Sequence, residues 1–213
     1  MSHAIYLTAK GFLVFGTSRD ASKIDLEKLE KTYRLDHTKW KYCNKEKTKV
    51  TAIKSLVPDF IDKDLKKILK KIRFFSMDVT SDQSVEQAMK EIESEAKKVN
   101  GHGVDIIVNN AGVGFFGSAE ELTIDDWKKN FVINFFGMLR VIKAVLPAMK
   151  ARKSGRIINT SSLAALVSIP FQTHYSSSKV AIKMLTEGLR IELKPFKIKV
   201  STILPSDINT SFN

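Results

Sequence analysis

Tyr175 and Lys179 lie four residues apart in the run THYSSSKVAIKMLTEGLRIEL. On a helix that spacing puts both side chains on one face, about 6 Å apart along the axis. An ammonium beside a phenol favours phenolate, so the pKa of Tyr175 is expected to fall toward working pH. A tyrosine tuned this way can pass a proton to or from a carbinol oxygen. Alone the pair is weak evidence, because any lysine-rich chain can place Tyr-x-x-x-Lys on a solvated helix face.

Three further segments stand upstream. Gly155–Ser162 reads GRIINTSS, an apolar strand running into hydroxyl residues, with Ser162 thirteen residues before Tyr175. Val104–Gly112 reads VDIIVNNAG, a buried-strand run ending in Asn109, Asn110, Ala111 and Gly112. Between them Asn134 sits in a helical pattern, NFVINFFGMLRVIKAVLPAM. Each has a plain reading taken singly: a turn serine, a strand-ending turn, a helix-surface amide. Together, in this order and spacing, they resemble the short-chain dehydrogenase/reductase family. The likeness covers roughly residues 72–213.

The elements that must position these residues alternate from Ile72 on. Ile72–Val79 and Val104–Asn110 are strands, and Ser81–Val99 is a helix with Ser81 or Asp82 as its cap and Gly101 at its end. A helical pattern opens at Leu122–Asp126 and runs, with a break allowed, to about Lys153. A strand lies in GRIINTSS, a helix over Tyr175–Lys194 stopped by Pro195, and a strand over Ile198–Pro205. Central strands continuous in Ile and Val fit parallel sheets covered on both faces. The fold class is therefore α/β, a Rossmann-like doubly wound parallel sheet.

The first seventy residues allow two placements of the strand-like Lys10–Asp20. In one it is the first strand and Gly16 opens a phosphate-binding loop. Only one of the family's three loop glycines is then present. In the other, which we favour, Ser2–Lys10 ends the first helix and Phe12–Thr17 is the second strand. The sheet would then be incomplete at both ends, without the glycine loop and without a C-terminal substrate-covering segment. Ala21–Lys71 becomes a lysine-rich helical insertion (residues 21–71), with helical patterns at Asp25–Tyr33 and Pro58–Lys71, inside a single domain of residues 1–213.

The resemblance implies hydride transfer between a nicotinamide and an alcohol or ketone carbon. It makes Tyr175 the general acid/base, Lys179 its tuning amine and a ribose ligand, Ser162 the substrate-oxygen ligand, and Asn134 the anchor of a proton-path water. It places Asp78 and Val79 along the adenine, and Asn110, Ala111 and Gly112 beside its ribose. Ile208 and Thr210, in a Pro-Ser-x-x-x-Thr variant of the family's Pro-Gly turn, would hold the carboxamide. Arg19, with Ser18, would pair a ribose 2′-phosphate, so the expected cofactor is NADP, with NAD as the alternative. Arg19 could equally be a strand-end surface charge, and Asp78 a helix cap. His174, next to Tyr175, could shape the substrate pocket, but the favoured reading is a loop residue without a catalytic role. Phe115, Phe116, Phe131, Phe135 and Phe136 suggest either a lipid pocket or, as we favour, packing and a subunit interface. The resemblance further implies a homodimer or homotetramer.

Composition bounds the rest. The chain has 213 residues, 43% of them hydrophobic, which is ample for one core. One cysteine, Cys43, forbids an internal disulfide and fits a reducing, cytoplasmic setting. No secretory leader is read at the N-terminus, and no apolar run long enough to span a bilayer is expected. The net charge of +12 is concentrated in Lys23–Lys71. It lacks a base-reading motif, so a solvated face is expected rather than a nucleic-acid partner. The competing function is a catalytically impaired relative with a scaffolding role. The expected substrate is a small-molecule alcohol or ketone, with a lipid-like one as the variant.

Overall fold

The computed structural model describes residues 7–29 and 59–206. A boundary between Met77 and Asp78 divides these into two compact units.

The first unit contains β1 (Phe15–Ser18), α1 (Asp59–Lys71) and β2 (Arg73–Ser76). Leu65, Ile68, Leu69 and Ile72 are buried at the spacing of one helix face, with Ala9, Val14, Leu26 and Phe74 packed against them. Lys66, Lys67, Lys70 and Lys71 stand exposed between these positions. Here the basic segment is thus a solvated face over an apolar stripe. The helical pattern at Asp25–Tyr33 is helical at residues 26–29, Asp25 standing just before it, and residues 30–33 lie outside the described residues, as do Trp40 and Cys43.

β1 and β2 pair in parallel, Phe15 opposite Arg73 and Ser18 opposite Ser76. This pairing is what the favoured placement expects, since second and third strands are neighbours in a doubly wound sheet. Gly16 lies within β1 rather than in a loop. A Cβ there would stand 2.8 Å from the Phe74 ring, so packing accounts for this glycine. The reading of Gly16 as the opening of a phosphate loop is corrected on that ground.

The second unit runs α2 (Asp82–Asn100), β3 (Ile106–Asn109), α3 (Ile124–Phe131), α4 (Gly137–Arg152), β4 (Gly155–Thr160), α5 (Thr173–Glu192) and β5 (Ile198–Ile203). Its strands form one parallel sheet in the order β3-β4-β5, with Asn109 opposite Asn159 and Thr160 opposite Ile203. This is the α/β parallel architecture that the alternation predicted. Ser81 caps α2, its hydroxyl accepting from Ser84 N–H at 3.2 Å, and left-handed Gly101 ends it. Thr123 and Asp126 form a capping box on α3. α2 packs on α4 and α5 on β5, burying Val85, Met89, Ile142, Val145, Ile182 and Val200.

α3 and α4 join through a π-helical turn, Val132–Phe136, where the expected break falls. The resulting Ile124–Arg152 helix is long and apolar enough, by length and composition, to cross a membrane. That corrects the expectation that no run has this length. Met138, Val141, Ile142, Val145 and Met149 are buried in the unit, so one face of this helix is packed within it.

Candidate active site

Parallel strands deliver their carboxyl ends to one edge of a sheet, and ligand sites form there. In the second unit that edge carries Asn110–Val113 after β3 and Ser161–Ser162 after β4. Ser161 N–H donates to Ile203 O at 2.9 Å and Leu163 N–H to Pro205 O at 2.8 Å, which ties the exit of β4 to that of β5. Ser161 Oγ donates to the Lys179 carbonyl at 2.7 Å and docks α5 on the same edge.

Lys179 is buried, and its Nζ donates to Thr160 O at 3.1 Å. The same Nζ stands over the Tyr175 ring, 5.3 Å from its centre. Burial lowers the Lys179 pKa to about 8. Burial also raises that of Tyr175, while nearby Ser162 pulls it down less strongly. The expected fall in the tyrosine pKa is therefore corrected. Desolvation of the phenolate dominates. Ser162 stands half-buried at the start of a short helical turn, its Oγ accepting from Ala164 N–H at 3.1 Å.

Asn134 is fully buried within the π turn, a distortion that often marks functional sites. Its Oδ1 accepts from Val113 N–H at 2.8 Å. Its Nδ2 reaches Val113 O at 3.0 Å, Ser178 Oγ at 3.1 Å and Asn130 Oδ1 at 3.2 Å. Asn134 thus pins the loop after β3 to α5. Gly112 lies in this contact. A Cβ there would sit 3.2 Å from Asn134 Oδ1 and 3.6 Å from Lys179 Nζ, so glycine keeps the space before the ammonium clear.

The remaining expected ligands fall as follows. Asn110 and Ala111 are exposed at the end of β3. The Asp78 carboxylate accepts from Thr80 N–H at 2.9 Å and Thr80 Oγ1 at 2.8 Å, an Asx turn before α2, so Ser81 and not Asp78 is the cap. Val79 packs on Gly137, where a Cβ would meet it at 2.9 Å. Ser18 ends β1 in the first unit. Arg19 follows it, exposed and without an ion pair among the described residues. Ile208 and Thr210 lie outside the described residues.

Several contributors were not singled out from sequence. Asn130 Nδ2 donates to Val113 O at 3.1 Å, and Ser178 Oγ donates to Tyr175 O at 2.7 Å. A buried chain runs from Asn109 Nδ2 to Asn159 Oδ1 and from Asn159 Nδ2 to Thr186 Oγ1, each at 2.9 Å, joining β3, β4 and α5. His174 is no loop residue. It is the second residue of α5 and fully buried. Phe115 stacks on it at 4.3 Å, while Phe116 and Phe136 are exposed.

The donor set fits a hydroxyl-rich nucleotide. An ammonium offers three donors, and Lys179 gives one to Thr160 beside a cleared Gly112. No group of three or more His, Cys, Asp or Glu able to hold a metal occurs among the described residues.

A family model described as short chain dehydrogenase matches residues 38–213. The chain is 41% identical over 142 residues to a 3-ketodihydrosphingosine reductase of Bacteroides thetaiotaomicron, covering 67% of this chain and 51% of that one. A solved short-chain dehydrogenase from Streptomyces avermitilis is 28% identical with TM-score 0.67, over 99% of this chain and 63% of that one. A solved NAD+-bound xylitol dehydrogenase is 32% identical with TM-score 0.60, over 68% and 56%. The chain spans about half the length of the curated relatives it matches.

Proposed function

This chain belongs to the short-chain dehydrogenase family, and we propose that it is an NADP(H)-dependent oxidoreductase interconverting an alcohol and a ketone. One arrangement supports the reading: Lys179 stands over the Tyr175 ring, Ser162 reaches the Tyr175 hydroxyl, and Asn134 joins the loop after β3 to α5 through Val113 and Ser178.

The nicotinamide, when bound, supplies or accepts the hydride. The chain's own residues manage the oxygen and its proton. In reduction, Tyr175 gives its phenolic proton to the oxygen that becomes the alkoxide, and Ser162 donates a hydrogen bond to the same oxygen. Lys179 keeps its proton at pH 7 by roughly ten to one with a pKa of about 8. Its charge stabilises the phenolate left behind, and its free donors suit the ribose hydroxyls. Asn134 holds the loop that carries Asn110, Ala111 and Gly112 against α5.

NADP rather than NAD is proposed on Arg19, exposed at the carboxyl end of β1, where a guanidinium can fork onto a 2′-phosphate. The NAD+-bound state of xylitol dehydrogenase keeps NAD as the alternative. A lipid-like substrate is supported by a relative named for 3-ketodihydrosphingosine. It is also supported by the uncharged Leu163–Phe171 segment after Ser162, in which Leu163, Leu166, Val167 and Phe171 are exposed. Val180, Met184 and Ile191 make an exposed apolar stripe along α5 and support a homodimer or homotetramer. A cytoplasmic location is proposed on the single cysteine.

Titration with NADPH, followed by nicotinamide fluorescence, tests the reading. Saturation below about 1 mM, in the range usual for enzyme ligands, is expected. No binding at millimolar cofactor would sink it in favour of the scaffolding relative.

A further inference from the structure

We infer that His174 is a positioning residue: a neutral aromatic wedge, clamped between Phe115 and Trp127, that holds the Tyr175 end of α5. The inference rests on the oxidoreductase reading above. It begins with a helix start that lacks the usual fixings. Gln172 at the N-cap gives no side-chain bond. Phe171 before it sits at φ 61°, a left-handed conformation that is costly for a bulky residue. Such a start stays ordered only when its surroundings hold it.

Two main-chain donors contribute. Gly117 N–H donates to Phe171 O at 2.9 Å, and Ile169 N–H to Ser176 Oγ at 3.2 Å. The third hold is the His174 ring. It lies 4.3 Å from the Phe115 ring at 24°, stacked, and 5.9 Å from Trp127 at 65°, edge-on. Phe115 belongs to the loop that carries Gly112, and Trp127 to the helix that carries Asn130. One ring therefore joins both neighbours of the site to the residue preceding Tyr175.

Among the described residues neither ring nitrogen has a hydrogen-bond partner of good geometry, nor has the adjacent Thr173 hydroxyl, so ring contact carries most of the hold. The charged groups on the elements packed around it are few. The loop 111–118 has none. On α3, Asp126 lies near, but its carboxylate is engaged by Thr123 N–H at 3.0 Å and Thr123 Oγ1 at 2.7 Å, with Lys129 beside it. On α5, Lys179 is directed to Thr160. Burial depresses the imidazole pKa, against smaller opposing effects of Asp126 and the Phe115 backbone. Neutral shape is what the site uses, and a proton on the ring would loosen the clamp.

The test compares wild type, His174→Ala and His174→Phe, all in a Trp40→Phe background that leaves Trp127 as the only indole. Folding is checked by melting temperature. We expect His174→Ala to lower kcat by about ten- to a hundredfold with KM little changed, the scale of a misplaced catalytic group. His174→Phe should restore kcat to within about threefold, as expected when shape and not charge is the requirement. Trp127 emission should change as wild type is acidified from neutrality, when the imidazole protonates, and should stay flat in His174→Phe. Wild-type kcat in His174→Ala, or a His174→Phe as poor as His174→Ala, would overturn the wedge. Emission needs no turnover. A wild type without turnover defeats the oxidoreductase reading alone, and identical emission titrations in wild type and His174→Phe then defeat the wedge.

Discussion

The Nζ of Lys179 stands over the face of the Tyr175 ring, 5.3 Å from its centre, and donates to the carbonyl of Thr160. The helix spacing brings these two side chains together, but the strand end decides where the ammonium points. Both groups are pushed toward their neutral forms by burial. A ribose or substrate oxygen that enters this space would meet a donor-rich, poorly hydrated pair.

Tyr175→Phe removes only the phenolic oxygen. We expect turnover to fall by about 10²- to 10⁴-fold, the usual contribution of a general acid. Melting temperature and NADPH affinity should change little, because Tyr175 is half-buried and the variant gives up the contact of its hydroxyl with Ser162, a small loss at such a site. Wild-type turnover in this variant, measured by nicotinamide absorbance, would take Tyr175 out of the chemistry.

Arg19→Ala should narrow the preference for NADPH over NADH by about tenfold or more, since a charge-assisted hydrogen bond is worth roughly 1.5–3 kcal/mol. The ratio of kcat/KM for the two cofactors measures it. An unaltered ratio means that Arg19 is a surface charge.

Asn134→Leu leaves the part-buried Val113 N–H without its acceptor and removes the bridge to Ser178. A loss of about 2 kcal/mol in unfolding free energy is expected for one unpaired donor. Urea denaturation reads it directly. A change within about 0.5 kcal/mol, the range of ordinary surface substitutions, would show that the π turn holds its place without this amide.

Lys179 gives a pH signature. Its pKa is about 8 when folded, against 10.5 as the reference value. Between these values the unfolded chain binds the proton more tightly, so stability rises with pH across that window. From pH 7.5 to 9.5 the contribution grows by about 2 kcal/mol, at 1.36 kcal/mol per unit. Urea midpoints of wild type should climb over that range relative to Lys179→Met. Parallel curves would mean that the ammonium is as well solvated folded as unfolded.

Much was legible along the chain because the rules involved are local. Strand β3 shows by Ile106, Ile107 and Val108, β4 by Ile157 and Ile158, α2 by Ser81 and Gly101, and the residues proposed to react by their order from Asn110 to Lys179. Other features were hidden because burial and register are not local. Asn130 and Ser178 look like surface residues until Asn134 reaches both. Gly16 looks like a phosphate-loop glycine until Phe74 is found against it. His174 looks like a loop residue until Phe115, from another element, stacks on it.

Residue order alone determined the family and the parallel α/β architecture and nominated the residues proposed to react, because periodicity and short-range spacing write these into consecutive positions. Tertiary structure alone decided the protonation leanings of Tyr175 and Lys179, the pinning of the loop after β3 by Asn134, and the clamp on His174. The physical reason is that desolvation and ring contact depend on atoms brought near by folding, such as Thr160 beside Lys179. No window of sequence around either residue contains that information.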